Sequence, residues 1–119
     1  MTRLHDAGRL LDRAMTEAEL LESVIAHAHA FGWLVHHCRP ARTKDGRWQT
    51  PIQGDAGFPD LVFARHGEVI FAELKREGAT LTVEQARWRR SITDSGNSGG
   101  HYIWRPSDLR SGAIEAALR

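Results

Sequence analysis

One predicted hairpin constrains the fold of this chain most, because it joins two apolar segments of strand length through a short polar connection. The segments are Gly57–Phe63 and Val69–Lys75, and the five residues between them include a glycine, as hairpin connections often do. Three charged residues interrupt these core-like runs: Asp60, Glu73 and Lys75. Side chains alternate between the two faces of a strand, so Glu73 and Lys75 share a face. In an antiparallel hairpin the start of one strand lies opposite the end of the other, which predicts that Asp60 lies beside both.

Two carboxylates and an ammonium group at one end of a sheet have two explanations, a metal site or ordinary surface charges. Burying such charges is unfavourable unless something compensates for them. A divalent cation such as Mg²⁺ does so, since it takes oxygen ligands and is often shared with substrate phosphates. The lysine then lies where it can orient or deprotonate a metal-bound water. The alternative is an aspartate in a turn and a solvated Glu-Lys pair on an edge strand.

Length and composition limit the classes of protein to consider. The 119 residues predict a single domain, and 41% hydrophobic and 26% charged residues are ordinary values for a globular protein. No apolar run approaches the ~20 residues that cross a bilayer, and we expect no signal peptide and no membrane partner. The single cysteine, Cys38, excludes an intramolecular disulfide framework and a cysteine-based zinc site, and fits a reducing compartment.

The net charge of +1 does not by itself indicate nucleic-acid binding, but the basic residues are clustered. One group lies before the predicted hairpin and the other on the helix after it: Arg39, Arg42, Lys44, Arg47, Arg87, Arg89 and Arg90. If the carboxylates gather around a metal ion, the remaining surface is more basic than the total suggests.

A first long helix is predicted from Glu17 to Phe31. Thr16 and Glu19 have the spacing of a capping box, and Gly32 ends the helix. Its apolar line is Leu21, Val24, Ala28 and Phe31, with Leu20 and Ile25 beside it. Residues 1–15 show no clean periodicity and are interpreted as an N-terminal arm or short helix, leaving 16–119 as the domain.

Projecting that apolar line towards the start of the helix reaches Glu17, which could therefore face the end of the sheet that carries Asp60. Glu19 and Glu22 are the other acids in this region. An acid in a first helical turn is also favoured by the helix dipole and needs no catalytic role. Both interpretations of Glu17 stay open.

Residues 33–38 predict a strand with Trp33, Val35 and His37 on one face. His37 is a candidate for phosphate contact, or a histidine with a structural hydrogen bond at a strand end. The polar segment 39–55 is rich in turn formers and predicts a long loop or loose hairpin. In this segment Arg42, Lys44 and Arg47 are candidate DNA phosphate ligands.

A second helix is predicted to begin at Thr82, with Gln85 at the capping-box position. Gln85 therefore has a structural explanation that competes with a role beside a metal or substrate, and Arg87 is a further candidate for DNA contact. Residues 95–100 predict a flexible connector and 101–104 a short strand. Ser107 is predicted to cap one final helix that runs to Leu118.

The ordered set Gly57-Phe58-Pro59-Asp60, Glu73-Leu74-Lys75 and Gln85-Ala86-Arg87-Trp88 resembles the PD-(D/E)XK nuclease superfamily. Its VRR-NUC branch, in the stand-alone form of bacteriophages and prophages, is the most similar. The resemblance implies an α/β fold with a small mixed sheet flanked by helices, in the order α-β-β-β-α-β-α. It also implies metal ligation by Asp60, Glu73 and the backbone carbonyl of Leu74, and catalytic roles for Lys75, Gln85 and a first-helix glutamate, which Glu17 matches best.

The function that this resemblance implies is a Mg²⁺- or Mn²⁺-dependent endonuclease that cuts branched DNA or four-way junctions as a homodimer. The expected location is the cytoplasm of a bacterial or phage-infected cell. One alternative is a nuclease without structural preference, or one specific for single strands. Another is a non-catalytic DNA-binding or phage assembly protein that keeps the fold.

Overall fold

The computed structural model describes residues 3–37, 41–42, 48–49, 53–97 and 99–119. They form an α/β fold in which a four-stranded mixed sheet is flanked by helices, so the predicted fold class is confirmed. The elements in chain order are α1 (Arg3–Ala14), α2 (Glu17–Ala30), β1 (Leu34–His37), β2 (Ala41–Arg42), β3 (Trp48–Gln49), β4 (Leu61–Arg65), β5 (Glu68–Leu74), α3 (Val83–Asp94), β6 (His101–Trp104), α4 (Pro106–Arg110) and α5 (Ala113–Leu118).

The predicted hairpin forms the centre of the sheet, whose strand order is β1-β4-β5-β6. β4 pairs antiparallel with both β1 and β5, and β6 is parallel to β5. The connection between β4 and β5 is tighter than the predicted five residues, because pairing continues to Arg65 and Glu68. His66 and Gly67 alone make the turn, with φ of 49° and 79°. Two positive φ values are typical of a type I′ hairpin turn, which matches the twist of the strands.

The two faces of the sheet have different coverings. One face carries the hydrophobic core, in which β-strand side chains pack against α2, α5 and the indole of Trp33. Its fully or nearly fully buried members are Leu20, Val24, Ala28, Trp33, Leu61, Phe63, Ile70, Ala72, Leu74, Trp104, Ile114 and Leu118. The other face, on which Phe71 and Glu73 lie, is covered by α3 over its β5–β6 half.

The predicted capping box of α2 is confirmed, since Glu19 N donates to Thr16 Oγ1 and Thr16 N donates to Glu19 Oε1. The predicted apolar line of α2 is confirmed at Val24 and Ala28, but Leu20, predicted to lie beside the line, is buried in place of Leu21. Leu20, Val24 and Ala28 are fully buried, whereas Leu21 and Phe31 are only partly buried. Both lines have helical spacing, and contact with the sheet and α5 decides between them.

Helix α3 begins with the predicted capping box, formed by Thr82 and Gln85. None of its residues is fully buried, so it lies on the sheet rather than in the core. Arg89 attaches it to β6, since Nη1 donates to the carbonyl oxygen of His101 at 3.0 Å and contacts His101 Nδ1 at 3.2 Å. Trp88 attaches it to the segment before β4 through a bond from Nε1 to the carbonyl of Ala56.

The prediction of one final helix capped by Ser107 is wrong. Two short helices are present, and Gly112, with φ of 87°, separates α4 from α5. The residue that precedes α4 is Arg105, and its backbone N–H donates to Asp108 Oδ2 in the first turn of the helix. Ser107 lies inside α4, and its own N–H donates to Glu77 Oε1. A left-handed glycine interrupts the helical hydrogen bonds even where the apolar pattern continues.

Two further segments are more ordered than their sequences indicate. In the connector between α3 and β6, Asn97 Nδ2 donates to the carbonyl of Val69 at 2.9 Å, and Gly99 packs against the same carbonyl. Residues 3–14 form a regular helix, α1, in agreement with the second of the two interpretations of the N-terminal segment, a short helix. Asp12 on α1 is 5% exposed and binds Arg110 of α4 with both carboxylate oxygens.

Candidate active site at the end of the hairpin

Asp60 and Glu73 lie side by side at the end of the hairpin. Leu61 is paired with Ala72, so the residue before Leu61 faces the residue after Ala72. Asp60 Oδ2 accepts a hydrogen bond of 2.8 Å from the backbone N–H of Leu74. This backbone-to-side-chain bond joins the two strands beyond their last paired residues and fixes the Asp60 carboxylate against the end of β5.

Glu73 is buried, with 1% of its surface exposed. Its Oε1 accepts a hydrogen bond of 3.1 Å from Gln85 Nε2, while Oε2 is buried with no hydrogen-bond partner among the described residues. Burial raises the pKa of Glu73 to about 9, assisted by the neighbouring carboxyl of Asp60 and by the charge of Glu17, against the opposing charge of Lys75. A glutamate in this environment holds either a proton or a cation at ordinary pH.

Lys75 follows the last residue of β5 and is partly exposed. Its backbone N–H donates to the carbonyl of Trp104 at 3.0 Å, which continues the pairing with β6. The ammonium group is close enough to Glu73 to act on its pKa. The side chain therefore reaches from the rim of the site towards the buried carboxyl, where it can also meet an anion from solvent.

The two interpretations of Gln85 are compatible, because its two amide atoms have separate partners. Oε1 accepts the backbone N–H of Thr82 at 2.9 Å and completes the cap of α3. Nε2 donates to Glu73. The cap fixes the rotation of the amide, and the amide in turn fixes one oxygen of Glu73.

Gly57 makes this arrangement possible, although no local sequence pattern marks it as a contact residue. Its φ is 98°, and a Cβ there would lie 2.5 Å from the carbonyl carbon of Glu84 and 2.8 Å from the nitrogen of Gln85. The backbone before Asp60 therefore packs directly against the first turn of α3. This close approach brings Gln85 within hydrogen-bond distance of Glu73.

Glu17 lies at the start of α2 with an exposed side chain, and its negative charge acts on Glu73. Glu19 is engaged by Thr16, whose backbone and hydroxyl bonds lower the pKa of the Glu19 carboxyl. Glu22 is exposed. Of these three acids, only Glu17 contributes to the electrostatics of the buried carboxyl.

The predicted DNA ligands have different placements. Arg87 lines a pocket of about 150 Å³ together with Asp55, Ala56, Glu84, Trp88 and Ser91. His37 is paired with Leu61 and so projects from the core face of the sheet, whereas Asp60 and Glu73 belong to the opposite face. The side chain of Arg42 and the whole of Lys44 and Arg47 lie outside the described residues.

The carboxylates fit a hard divalent cation in number and type. No group of three or more His, Cys, Asp or Glu side chains able to hold a metal ion occurs in the described part of the chain. Magnesium, however, is often held by one or two carboxylates together with water and substrate phosphate. The unpartnered Oε2 of Glu73 beside Asp60 is an oxygen that lacks a positive partner, as a ligand without its cation would.

No helix in the described ranges is both long and apolar enough to span a bilayer. Comparison with protein-family models and with curated proteins finds no match for this chain. Among solved structures, a chain described as a VRR_NUC domain superposes with a TM-score of 0.57 at 20% sequence identity. The alignment covers 84% of this chain and 96% of that one. The chain therefore has the fold of a VRR_NUC domain.

Proposed function

We propose that this protein is a metal-dependent nuclease that hydrolyses phosphodiester bonds in DNA. The observation that carries the proposal is the buried carboxyl of Glu73, which has one unpartnered oxygen and lies beside Asp60 at a sheet end. A purely structural sheet gains nothing from a buried acid in that position, since an apolar residue of similar size would be more stable. A metal-dependent phosphodiesterase needs carboxylates that hold its cation.

Each residue has a separate task in this proposal. Asp60 and Glu73, with the backbone carbonyl of Leu74, would hold Mg²⁺ or Mn²⁺. When bound, such a cation would lower the pKa of a water molecule and offset charge on the phosphate. Lys75 positions the attacking water and, as an ammonium group, stabilises negative charge at the phosphate. Gln85 keeps Glu73 in one rotamer, and Glu17 adds an acid at the rim.

The proposed substrate is branched DNA, including four-way junctions, cut by a homodimer in the cytoplasm of a bacterial or phage-infected cell. This finer proposal rests on the resemblance of the Asp60, Glu73-Leu74-Lys75 and Gln85 motifs to stand-alone viral VRR-NUC proteins. The shared fold with a VRR_NUC domain supports the nuclease part of it.

A labelled four-way junction tests activity and substrate class in one experiment. The protein is incubated with the junction, a flap, a linear duplex and a single strand, each with Mg²⁺, Mn²⁺ or EDTA. We expect paired nicks near the branch of the junction with a metal ion and none with EDTA. Equal cutting of the linear duplex, or cutting confined to the single strand, would instead favour a nuclease without junction preference.

Lys75→Ala separates a nuclease from a DNA-binding protein that keeps the fold. We expect the variant to bind the junction normally and to cut it at least ~100-fold more slowly, because it loses a group that acts on water and phosphate. Arg76→Ala, which removes the next cation along the chain, is the matched control and should cut at the rate of the unmodified protein. Cutting by Lys75→Ala at that same rate would contradict the proposed chemistry.

A further inference from the structure

The strand register divides two neighbouring histidines between the two faces of the sheet. His36 is paired with Val62, which is in turn paired with Phe71. Phe71 is two residues before Glu73, so its side chain lies on the same face. His36 therefore projects from the face of the sheet that carries Asp60 and Glu73, which we call the catalytic face. It lies one row of side chains away from these two acids. His37, paired with buried Leu61, projects from the other face.

Among the residues that the structure describes, elements cover the catalytic face over only half of its width. Helix α3 packs over β5 and β6, as its bonds to Glu73 and His101 show. On β1 and β4 the same face carries Leu34, His36, Val62 and Ala64, which we call the open face. Leu34 is 77% exposed, His36 is exposed, and Val62 and Ala64 are partly exposed.

The open face is contiguous with the carboxylate pair. Val62 lies two residues after Asp60 on the same side of the chain, so the open face begins where the Asp60 carboxylate ends. Positions diagonal to each other on adjacent strands are ~7–8 Å apart, which is within reach of an aromatic side chain. An imidazole at position 36 can therefore contact a group bound next to Asp60.

We propose that one DNA strand lies across the open face as it leaves the carboxylate pair, and that His36 donates an N–H to a phosphate oxygen of that strand. This inference rests on the proposed function. An imidazole carries at least one N–H donor in both protonation states, so the contact does not require a charged histidine. The short side chain of Val62, which is adjacent to both Asp60 and His36 on this face, leaves room for a deoxyribose between the phosphate at Asp60 and the phosphate at His36.

The first test compares histidine variants in the full-length Lys75→Ala protein, which we expect to bind junction DNA without cutting it. Binding is measured by fluorescence anisotropy of a labelled four-way junction. We expect His36→Ala to weaken binding about fivefold, the value of one typical hydrogen bond. His29→Ala, which removes an exposed histidine of α2, is the matched control and should leave binding unchanged. A loss with His37→Ala but not with His36→Ala would overturn the proposal.

The second test changes charge at one exposed position and does not depend on the histidine. Leu34→Lys should tighten binding and Leu34→Glu should weaken it, with about a tenfold difference between the two. The matched pair is Ala116→Lys and Ala116→Glu, on α5, which packs over the core face. General attraction between protein and DNA would give the two pairs similar differences. Equal differences at positions 34 and 116 would therefore overturn the assignment of the open face.

Failure of this inference is distinguishable from failure of the proposed function. If the unmodified protein cuts DNA and His36→Ala binds as tightly as its parent, the nuclease assignment stands and only the strand path is wrong. If the unmodified protein neither binds nor cuts any of the DNA substrates, both are overturned. A rise in KM for cutting by His36→Ala, with kcat nearly unchanged, would support a binding role.

Discussion

At the scale of single residues, Glu73 is an energetically unfavourable group that the fold nevertheless retains. Its carboxyl is buried, has one hydrogen bond from Gln85, and lies beside a second acid. Burial and the neighbouring acid favour the protonated form, and burial has the largest effect. Folding is therefore less favourable when Glu73 is ionised than when it is neutral or bound to a cation.

Replacement of Glu73 by glutamine should stabilise the protein in EDTA while it abolishes cutting. Folding raises the pKa of Glu73 from 4.5 to about 9, so its stabilising contribution is complete below pH 4.5 and is lost as the pH rises towards 9. At pH 8 we expect Glu73→Gln to raise Tm by about 5 °C or more relative to the unmodified protein. At pH 5 the difference should shrink. Thermal unfolding at both pH values measures it.

Glu115→Gln is the control for that experiment, because Glu115 makes only an exposed pair with Arg119. It should leave Tm nearly unchanged at both pH values. Addition of Mg²⁺ should raise the Tm of the unmodified protein at pH 8 and have little effect on Glu73→Gln. A Tm for Glu73→Gln below that of the unmodified protein at pH 8 would mean that the carboxylate is well solvated or paired.

At the scale of elements, the site depends on how closely the segment before β4 approaches α3. Gly57 allows backbone to touch backbone at the first turn of α3, and Phe58 then packs edge-on against Trp88, with ring centroids 5.1 Å apart. Trp88 also donates to the carbonyl of Ala56. The distance between Gln85 and Glu73 is thus set by this contact rather than by either element alone.

Gly57→Ala should reduce both stability and cutting, because the new methyl group forces α3 away from the hairpin. Gly54→Ala is a matched control, since Gly54 has φ of 99° against 98° for Gly57, and a Cβ at position 54 would have no atom within 4 Å. Both variants carry the backbone cost of a left-handed residue, ~1–2 kcal/mol. We expect Gly57→Ala to lose a further ~1–3 kcal/mol of unfolding free energy through overpacking. Chemical denaturation measures both.

Equal losses in the two glycine variants would show that α3 can shift without cost. In that case the cutting rates should also be equal, and the Gln85 contact would not depend on Gly57. A loss of cutting in Gly57→Ala at temperatures where it stays folded would locate the effect in the site rather than in global unfolding.

Local sequence patterns predicted most elements and failed where distant residues decide. The capping boxes at Thr16 and Thr82 are formed by residues three apart, so a short stretch of sequence is enough to predict them. The position of Asp60 beside Glu73 followed from the antiparallel pairing of the predicted hairpin. The contact of Gly57 with α3 joins segments that are distant in the chain and has no local signature. Only His37 was predicted as a site residue, and the position of His36 on the same face as Asp60 likewise required the register of β1 against β4.

At the scale of the whole molecule, long-range polar contacts hold the outer helices to the sheet. Arg65, at the end of β4, donates to the carbonyls of Phe31, Leu118 and Arg119, and its guanidinium lies over the indole of Trp33 at 4.2 Å. Asp12 and Arg110 connect α1 to α4 in a similar way. These contacts do not involve Asp60 or Glu73, so they affect the site only through the stability of the scaffold.

Asp12→Ala should release α1 and lower Tm by a few degrees, because it removes a buried carboxylate whose two oxygens both accept from the half-exposed guanidinium of Arg110. Glu115→Ala removes an exposed pair of the i, i+4 type and should change Tm by less than about 1 °C. Limited proteolysis should cut the Asp12→Ala variant within residues 1–15 first. Equal Tm values for Asp12→Ala and the unmodified protein would instead favour residues 1–15 as an independent arm.

The absence of any fully buried side chain in α3 has a thermodynamic consequence. Local opening free energies scale with the apolar contacts that an element makes, so α3 belongs to the less protected part of the molecule and α2 to the most protected. α3 covers Glu73, whereas α2 packs on the opposite face of the sheet. On warming, α3 would therefore open before the hydrophobic core does, and water would reach Glu73. The proposed catalytic activity would then be lost at a temperature below that of global unfolding.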